Sequence, residues 1–253
     1  MRDLRYLTPT LCHFLGIQPP SLATGEPVRE VAKKPIKRAL IYCPDAFGVH
    51  ALTKYPHLRD RLDKSSDTSI ELSSMFPPKT PVCFASLFTG GSPEQHGIRR
   101  YEKPVLACET LFDALVRAGK RTAIVAVRDS SIDKIFRDRE IDYISPAYDP
   151  LVTAKTLDLL EADEHEVIIV YHQEYDDLLH ATGPFSKLGE RALESHVASW
   201  ELLLEAVARK WQSDYLVAFT PDHGGHVVPE TGRGDHGDDR ADDMIVRHFF
   251  VAR

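Results

Sequence analysis

The stretch Ala218-Phe-Thr-Pro-Asp222-His223-Gly-Gly-His226 runs from an apolar segment directly into side chains that can bind a metal ion. A second cluster of this kind, Gly234-Asp235-His236-Gly237-Asp238-Asp239, follows shortly afterwards. Carboxylates and imidazoles at the end of a buried strand must be solvated, paired or metallated, because an unpaired polar group is costly to desolvate. The two clusters therefore predict a metal site at a strand end.

Segments with strand character alternate with helical segments around this stretch. Residues 38–43 and 166–171 are short apolar runs typical of buried strands, whereas residues 50–62, 80–89 and 187–211 have the apolar spacing of helices. Such alternation predicts an α/β fold, specifically a three-layer sandwich with a mostly parallel central sheet.

The N-terminal part of the chain differs from the remainder. Residues 1–20 are predicted to contain one helix that ends before Pro19-Pro20, and residues 21–35 are predicted to be a linker because prolines interrupt them. Residues 36–253 would form the core. We therefore expect a single domain over residues 1–253.

Three carboxylates follow predicted strands. Asp45 follows the first strand, Asp176 comes shortly after residues 166–171, and Asp222 follows the apolar run quoted above. Sites in such sheets lie at the carboxyl ends of the strands, so these three side chains should lie close together. An acidic site of this kind requires a cation to offset its charge.

Composition limits the partners and the compartment. The 253 residues carry 31 basic and 38 acidic side chains, a net charge of −7, which argues against binding a nucleic acid polymer or an anionic membrane. Four scattered cysteines without a C-x-x-C pair, together with no secretory segment and no apolar run of membrane-spanning length, predict a soluble cytoplasmic protein. The oligomeric state is left open.

The metal-capable residues each have a structural interpretation as well. Asp176 and His180 are four apart, so a helical turn would bring both to one metal, but an acidic helix start with a surface histidine is an equal alternative. Adjacent Asp222 and His223 can reach one ion only from a loop, which the following glycines permit. His236 would be a third nitrogen ligand or part of a solvated turn.

Thr80 begins a predicted helix. With Pro81 after it, a helix cap is the simpler interpretation of local sequence. The functional alternative is a nucleophile, because a hydroxyl at the positive end of a helix can form an alkoxide that a nearby metal stabilises.

Residues 79–98, Lys-Thr-Pro-Val-Cys-Phe-Ala-Ser-Leu-Phe-Thr-Gly-Gly-Ser-Pro-Glu-Gln-His-Gly-Ile, resemble the nucleophile segment of the alkaline phosphatase superfamily. The similarity is greatest to the type I phosphodiesterase/nucleotide pyrophosphatase branch, in which a threonine opens the helix and Thr-Gly-x-x-Pro-Glu-x-His-Gly-Ile follows. The resemblance implies that Thr80 is the nucleophile and forms a phospho-threonine intermediate after in-line attack.

The same resemblance extends over most of residues 36–253 and implies two divalent metal ions. A mixture of imidazole and carboxylate ligands suits zinc, with manganese or iron as alternatives. Three carboxylates and two divalent ions leave a charge of about +1, which favours an anionic phosphoryl group. The implied ligand sets are Asp176, His180 and His236 for one ion, and Asp45, Asp222 and His223 for the other.

Several positions depart from the family pattern. Cys83 stands where relatives carry an asparagine that contacts a phosphoryl oxygen, so Lys79 and Cys83 are the predicted substrate contacts. Because a thiol is a poor donor, Lys79 or backbone N–H groups would have to support that oxygen. Leu179 replaces a glycine before His180. The sulfatase branch requires a cysteine in place of Thr80, with proline and arginine where this chain has Val82 and Phe84, so its formylglycine chemistry is not expected here.

The leading functional prediction is a metal-dependent hydrolase of phosphodiester or nucleotide-like substrates. The alternatives are a phosphomonoesterase, a phosphonate hydrolase of the phosphonoacetate type, and a non-catalytic relative that binds metal or nucleotide. For each of these enzymes the substrate would be a small phosphate or phosphonate ester.

The segment 3–20 also resembles the helix that in this family follows the last strand. We therefore expect a permuted chain in which this segment docks beside residues 245–251 and the two termini meet.

Overall fold

The computed structural model describes all residues, 1–253. Short 3-10 turns cover Leu4–Tyr6 and Arg29–Val31. The strands are β1 Arg38–Pro44, β2 Thr68–Ser73, β3 Thr122–Ala126, β4 Asp142–Ile144, β5 Val167–His172, β6 Tyr215–Phe219, β7 His226–Val227, β8 Gly234–Asp235 and β9 Ile245–Ala252. The helices are α1 Leu7–Leu15, α2 Val49–Lys54, α3 Pro56–Ser65, α4 Thr80–Thr89, α5 Pro93–His96, α6 Leu111–Arg117, α7 Ser131–Ile135, α8 Asp149–Ala162, α9 Glu174–Thr182, α10 Lys187–Trp211 and α11 Ala241–Met244.

Seven strands form the central sheet in the order β2-β9-β6-β1-β5-β3-β4. Strands β6, β1, β5, β3 and β4 are parallel, and β9 is antiparallel to both of its neighbours. Leu40 of β1 is in register with Ile168 of β5 and with Val217 of β6. The carboxyl ends of these three strands therefore lie side by side, and the loops that leave them share one edge.

Helices cover both faces of the sheet. One buried cluster of 38 residues joins the sheet to α1, α4, α6 and α7, and a second of 30 residues joins it to α3, α8, α9 and α10. The central strands are buried on both sides, as parallel sheets require. The prediction of a layered α/β fold with a mostly parallel sheet is confirmed.

Two local features differ from the sequence prediction. The helix expected from His50 to Leu62 is two helices, α2 and α3, because Tyr55 (φ −121°, ψ 75°) leaves the helical region just before Pro56. The hairpin of β7 and β8 was not predicted, since two-residue strands are too short to show a periodic pattern. None of the helices has the apolar length that crossing a bilayer requires.

The N-terminal segment packs against the end of the sheet where β2 finishes and β9 begins. Ser73 of β2 donates its N–H to the carbonyl of Arg2 (2.8 Å), and the Tyr6 hydroxyl lies 2.7 Å from Nδ1 of His248 on β9. The segment thus docks beside β9, as the permuted arrangement predicts, and the permutation itself stays a prediction. The termini do not meet, because Arg253 pairs with Tyr215 at the opposite end of β9.

The buried cluster that includes α1 also includes side chains of the central sheet. This continuity supports our proposal that residues 1–253 form one domain, in which the segment 1–20 is integral and the residues 21–35 connect it to the core. All four cysteines are free, and three of them are buried.

Tyr6→Phe is expected to lower the free energy of unfolding by about 1–3 kcal/mol. His248 donates from Nε2 to the carbonyl of Pro221 (2.8 Å), so Nδ1 is the acceptor that Tyr6 satisfies, and the variant leaves it buried without a partner. Urea unfolding measures the change. Tyr148→Phe, at a 56 % exposed position, is the control. A loss no larger than that of the control would mean that the docking contact is not needed.

Candidate active site

The seven side chains that the sequence analysis singled out as ligands or nucleophile lie together at the carboxyl edge of the sheet. They come from loops after strands and from two helices, which the parallel register brings to one place. They are Asp45 after β1, Thr80 at the start of α4, Asp176 and His180 on α9, Asp222 and His223 after β6, and His236 after β8.

The first predicted ligand set has the spacing of a metal site. His236 Nε2 lies 3.1 Å from His180 Nε2 and 3.4 Å from Asp176 Oδ1, and His180 Nε2 lies 3.6 Å from the same oxygen. Nitrogen and oxygen ligands of a tetrahedral zinc ion lie about 3.3–3.6 Å from one another. These three atoms therefore surround a point that could hold such an ion.

The second set is equally close. His223 Nε2 is 3.3 Å from Asp45 Oδ1 and 3.3 Å from Asp222 Oδ2. The rings of His223 and His236 stack with centroids 4.0 Å apart, so the two sets are neighbours. His223 is also grouped with Asp176 and His236, all three ligand atoms lying within 4.8 Å.

All three histidines present the same nitrogen to the site. His236 donates from Nδ1 to the carbonyl of Pro78 (2.7 Å), and His223 donates from Nδ1 to the carbonyl of Gly224 (2.8 Å). His180 Nδ1 lies 3.2 Å from the carbonyl of Gly234. Because Nδ1 carries the proton in each ring, the Nε2 lone pair is free for a metal, an orientation typical of ligating histidines.

Two carboxylate oxygens at the site have no hydrogen-bond partner although they are buried. They are Asp176 Oδ1 and Asp222 Oδ2, and each belongs to one of the two ligand sets. An orphaned buried oxygen is costly unless something compensates it. One unpaired oxygen in each set fits a cation in each set, so the residues present suit the metal ions that the sequence predicts.

Burial and mutual charge shift the pKa values of these groups in opposite directions. Burial, with the charge of neighbouring carboxylates, raises the pKa of Asp45 and Asp222 well above the usual range and that of Asp176 to about 8. Burial, with neighbouring cationic groups, lowers the pKa of His223 well below its usual range, and burial lowers that of His236 to about 3. Neutral imidazole is the form that binds metal, whereas the carboxyls would need a metal to stay ionised.

Thr80 lies beside the second ligand set. Its Oγ1 is 3.3 Å from His223 Nε2 and 3.3 Å from Asp45 Oδ2, and its side chain is buried. It is the first residue of α4, where backbone N–H groups point outwards and attract anions. Lys79 rather than Thr80 occupies the N-cap position of α4, and the Thr80 hydroxyl contacts Asp45 and His223 instead of capping the helix.

The two residues predicted to contact substrate are placed differently. Lys79 donates to the carbonyl of His236, and its ammonium lies 3.6 Å from Asp235 Oδ1, at the rim of the site. Cys83 is fully buried, with its thiol 3.2 Å from Ser74 Oγ. Its direct contact with a substrate stays a prediction.

Sequence reasoning missed the residues that support the ligands. The Tyr171 hydroxyl donates to Asp45 Oδ2, and Ser74 Oγ donates to the carbonyl of Asp222 (2.6 Å). Gly224 has room for no side chain, since a Cβ there would meet the carbonyl oxygen of Asp242 at 2.0 Å. A tyrosine in a strand and a serine in a loop show no local signal that could have identified them.

Asp243 connects the two loops that carry the later ligands. Its carbonyl accepts the Gly224 N–H (2.8 Å), while Oδ2 accepts the N–H groups of Gly237 (2.9 Å) and Asp238 (3.0 Å). Oδ1 accepts from His226 Nδ1 (2.7 Å), so His226 supports the loops rather than joining either ligand set. Several other aspartates lie close to Asp243 in the sequence, so nothing local distinguishes it from them.

A cavity of about 240 Å³ opens in front of Thr80, and Asp45, Tyr171 and Asp176 also line it. A larger cavity of about 510 Å³, between residues 30–36 and the end of β9, contains none of the predicted site residues. The chemistry therefore belongs to the smaller cavity.

Comparison with known proteins gives one family match and several similar folds. Residues 43–248 match the family described as type I phosphodiesterase/nucleotide pyrophosphatase, whereas no curated protein sequence matches the chain. Solved structures with a similar fold include murine ectonucleotide pyrophosphatase/phosphodiesterase 5, as an inactive threonine-to-alanine variant in complex with AMP (TM-score 0.61, 20% identity), and its human counterpart (0.60, 18%). Phosphonoacetate hydrolase from Sinorhizobium meliloti 1021 in complex with phosphonoacetate is also similar (0.53, 17%).

Each of these alignments covers 75% of this chain and 57% of the other, so the chain spans just over half the length of these proteins. At such low identity the likeness shows the fold. The family match, however, covers most of the chain and confirms the resemblance carried by residues 79–98. The chain belongs to the type I phosphodiesterase/nucleotide pyrophosphatase family.

Proposed function

We propose that this chain is a metal-dependent hydrolase of phosphate esters, with phosphodiester or nucleotide-like substrates and Thr80 as the nucleophile. The observation that carries the proposal is the position of Thr80 Oγ1, 3.3 Å from both His223 Nε2 and Asp45 Oδ2 and at the positive end of α4. Family membership supports the reaction class.

Two divalent ions are part of the proposal, and the mixture of imidazoles and carboxylates favours zinc over manganese or iron. When bound, such ions would polarise a phosphoryl oxygen and offset developing negative charge. Two observations support this assignment. Each ligand set contains one buried carboxylate oxygen without a hydrogen-bond partner, and the site histidines all direct Nε2 towards the ligand sets. Asp176, His180 and His236 would hold one ion, and Asp45, Asp222 and His223 the other.

The residues of the chain supply the covalent part of the reaction. Thr80 Oγ1 forms a bond to phosphorus as its proton leaves, and the bond to the leaving group breaks with its electron pair. Asp45 Oδ2 lies within reach of that proton, and Tyr171 holds this carboxylate in place. Water then cleaves the phospho-threonine, which restores the hydroxyl and releases the phosphoryl product.

A phosphonate hydrolase would use the same ligand sets and nucleophile. The fold of phosphonoacetate hydrolase is similar, and Lys103 and Arg128, which line the cavity in front of Thr80, would suit the anionic groups of such a substrate. We further propose a reducing, cytoplasmic location, since the four cysteines are free.

Metal analysis and a substrate panel test the proposal together. Purified protein is expected to contain about two divalent ions per chain and to hydrolyse at least one of p-nitrophenyl phosphate, bis-p-nitrophenyl phosphate and a phosphonate monoester. p-Nitrophenyl sulfate is the matched ester that should be turned over far more slowly. Protein without bound metal and without turnover of any phosphorus substrate would defeat the proposal and favour a non-catalytic relative.

A further inference from the structure

One buried carboxylate beside the site belongs to neither ligand set. Asp149 is the first residue of α8, and its side chain is only 4 % exposed. Its Oδ1 accepts the N–H of Gln173 (3.0 Å), and its Oδ2 accepts the N–H of Glu174 (3.0 Å). Gln173 is the N-cap of α9 and Glu174 is its first residue. The Asp149 carboxylate therefore closes the start of the helix that carries Asp176 and His180.

The sequence of α9 supplies no cap of its own. The first N–H groups of any helix lack an intrahelical partner, and a side chain at the N-cap usually accepts one of them. The Gln173 side chain makes no such bond, and Gln173 itself has φ −125° and ψ −6°. Asp149, which is distant in the sequence, thus replaces the missing cap and joins the starts of α8 and α9.

No cation neutralises the Asp149 carboxylate. The nearest titratable nitrogens are Nδ1 of His172 (3.7 Å) and Nδ1 of His196 (4.0 Å), and no Lys or Arg nitrogen lies within 4.0 Å. Burial lowers the pKa of His172 well below its usual range and that of His196 to about 3, so both rings are neutral. Both Nδ1 atoms contact the Tyr42 hydroxyl instead, at 2.9 and 3.1 Å. The only hydrogen bonds of this buried carboxylate are therefore those that hold α9.

The anchored turn contains a ligand of the first set. Asp176 follows Glu174 by two residues, and its Oδ1 lies 3.4 Å from His236 Nε2 and 3.6 Å from His180 Nε2. No hydrogen bond holds this oxygen in place, so its position depends on the backbone of the turn. Metal ligands must be fixed to within about 0.5 Å. A shift at the start of α9 would therefore act directly on the first ligand set.

We propose that Asp149 is a positioning residue, which fixes the start of α9 and thereby sets the affinity of the first ligand set for its ion. This inference rests on the ion assignment in the proposed function. The second ligand set has no member on α9, so its affinity should depend on Asp149 far less. Asp149 would thus act on one ion and not on the other, although it belongs to neither ligand set.

Zinc affinities of single-site proteins test the inference. In His223→Ala only the first ligand set is complete, and in His180→Ala only the second is, so each protein reports one ion. Competition with a chromophoric zinc chelator is measured at pH 8, above the pKa of about 7 to which burial raises the Asp149 carboxyl. Asp149→Asn retains one accepting oxygen instead of two. It should weaken zinc binding about tenfold in the first background and less than about threefold in the second.

Asp113→Asn is the matched control, because Asp113 caps a helix that carries no ligand. Its Oδ2 accepts the Thr110 N–H (2.7 Å) at the start of α6. This variant should unfold at a lower urea concentration, while both zinc affinities change less than about threefold. Asp149→Ser, whose small neutral side chain avoids a buried charge, is the second variant should Asp149→Asn not fold, and the same selectivity is expected.

Hydrogen exchange of the metal-free protein measures the anchoring separately. Peptides from α9 should exchange about tenfold faster in Asp149→Asn than in the wild type and at an unchanged rate in Asp113→Asn. Unchanged exchange of α9 in Asp149→Asn would overturn the inference, because the helix would not need this carboxylate.

The zinc titrations can overturn the inference as well. An equal loss of affinity in both backgrounds would do so, because it would reflect a general loss of stability, and so would an unchanged affinity of the first ligand set. Failure of His223→Ala to bind zinc would defeat the ion assignment together with the inference. Binding is measured without turnover. If the selective loss is found but the wild type hydrolyses no ester, the proposed hydrolysis fails and the positioning role stands.

Discussion

Thr80→Ala is expected to lower turnover by about a thousandfold or more, because it removes the oxygen that forms the bond to phosphorus. The lost hydroxyl contacts only Asp45 and His223, so the fold and the ligand sets should persist. Steady-state hydrolysis of the best ester in the panel measures the loss. Mass spectrometry after acid quenching should find phosphate on the Thr80 peptide of the wild type and none in the variant.

Two further variants make that result specific. Thr80→Ser retains a hydroxyl and should recover part of the activity. Thr89→Ala lies in the same helix, where the Thr89 hydroxyl donates to the Ala85 carbonyl (2.7 Å), so it should lose stability and keep its turnover. Unchanged turnover in Thr80→Ala, or an equal loss in Thr89→Ala, would show that Thr80 is not the nucleophile.

Metal removal is the second change with a large expected effect. Chelation should abolish turnover and make the protein less stable as the pH rises from 6.5 to 8.5. Burial raises the pKa of Asp176 to about 8 and those of Asp45 and Asp222 well above the usual range. The metal-free folded state therefore binds protons that the unfolded chain has already released, and the stability they contribute is lost as the pH rises through the folded pKa values.

The histidines do not interfere in that pH window. The lowered pKa values of His223 and His236 matter only below about 6.5, where the unfolded chain binds protons that the folded state does not. The metal-free protein should thus melt about 5 °C lower at pH 8.5 than at pH 6.5, whereas the zinc-loaded protein should change much less. Metal-free Asp176→Asn is the matched variant and should show a flatter profile. Equal slopes with and without zinc would contradict the assignment of these carboxyls as ligands.

Much of the fold could be predicted because its signals are local. The predicted helices from Thr80 to Thr89 and from Lys187 to Trp211 match the structure to the residue, since proline or serine marks their starts and Gly90 (φ 73°) ends the first. The positions of Asp45 and Asp222 at strand ends could also be predicted, because an apolar run directly precedes each of them. In a parallel sheet, the carboxyl ends of neighbouring strands meet at one edge.

The unpredicted features depend on contacts between distant residues. Tyr171 reaches Asp45 across 126 positions, and Arg128 shares a cavity with Lys103 only because β3 ends beside the first ligand set. Pro56 indicates a helix break at Tyr55, but the apolar spacing on either side favoured the prediction of one continuous helix. The proton on Nδ1 of each site histidine depends on carbonyls that only the folded loops bring near.

Asp243 makes the two predicted ion sites thermodynamically dependent on each other. It hydrogen-bonds the loop of Asp222 through Gly224 and the loop of His236 through Gly237, so ordering one loop reduces the entropy that remains to be lost by the other. Binding of a first ion should therefore increase the affinity for the second. By reciprocity the gain is the same whichever site is filled first, which makes loading of the pair cooperative.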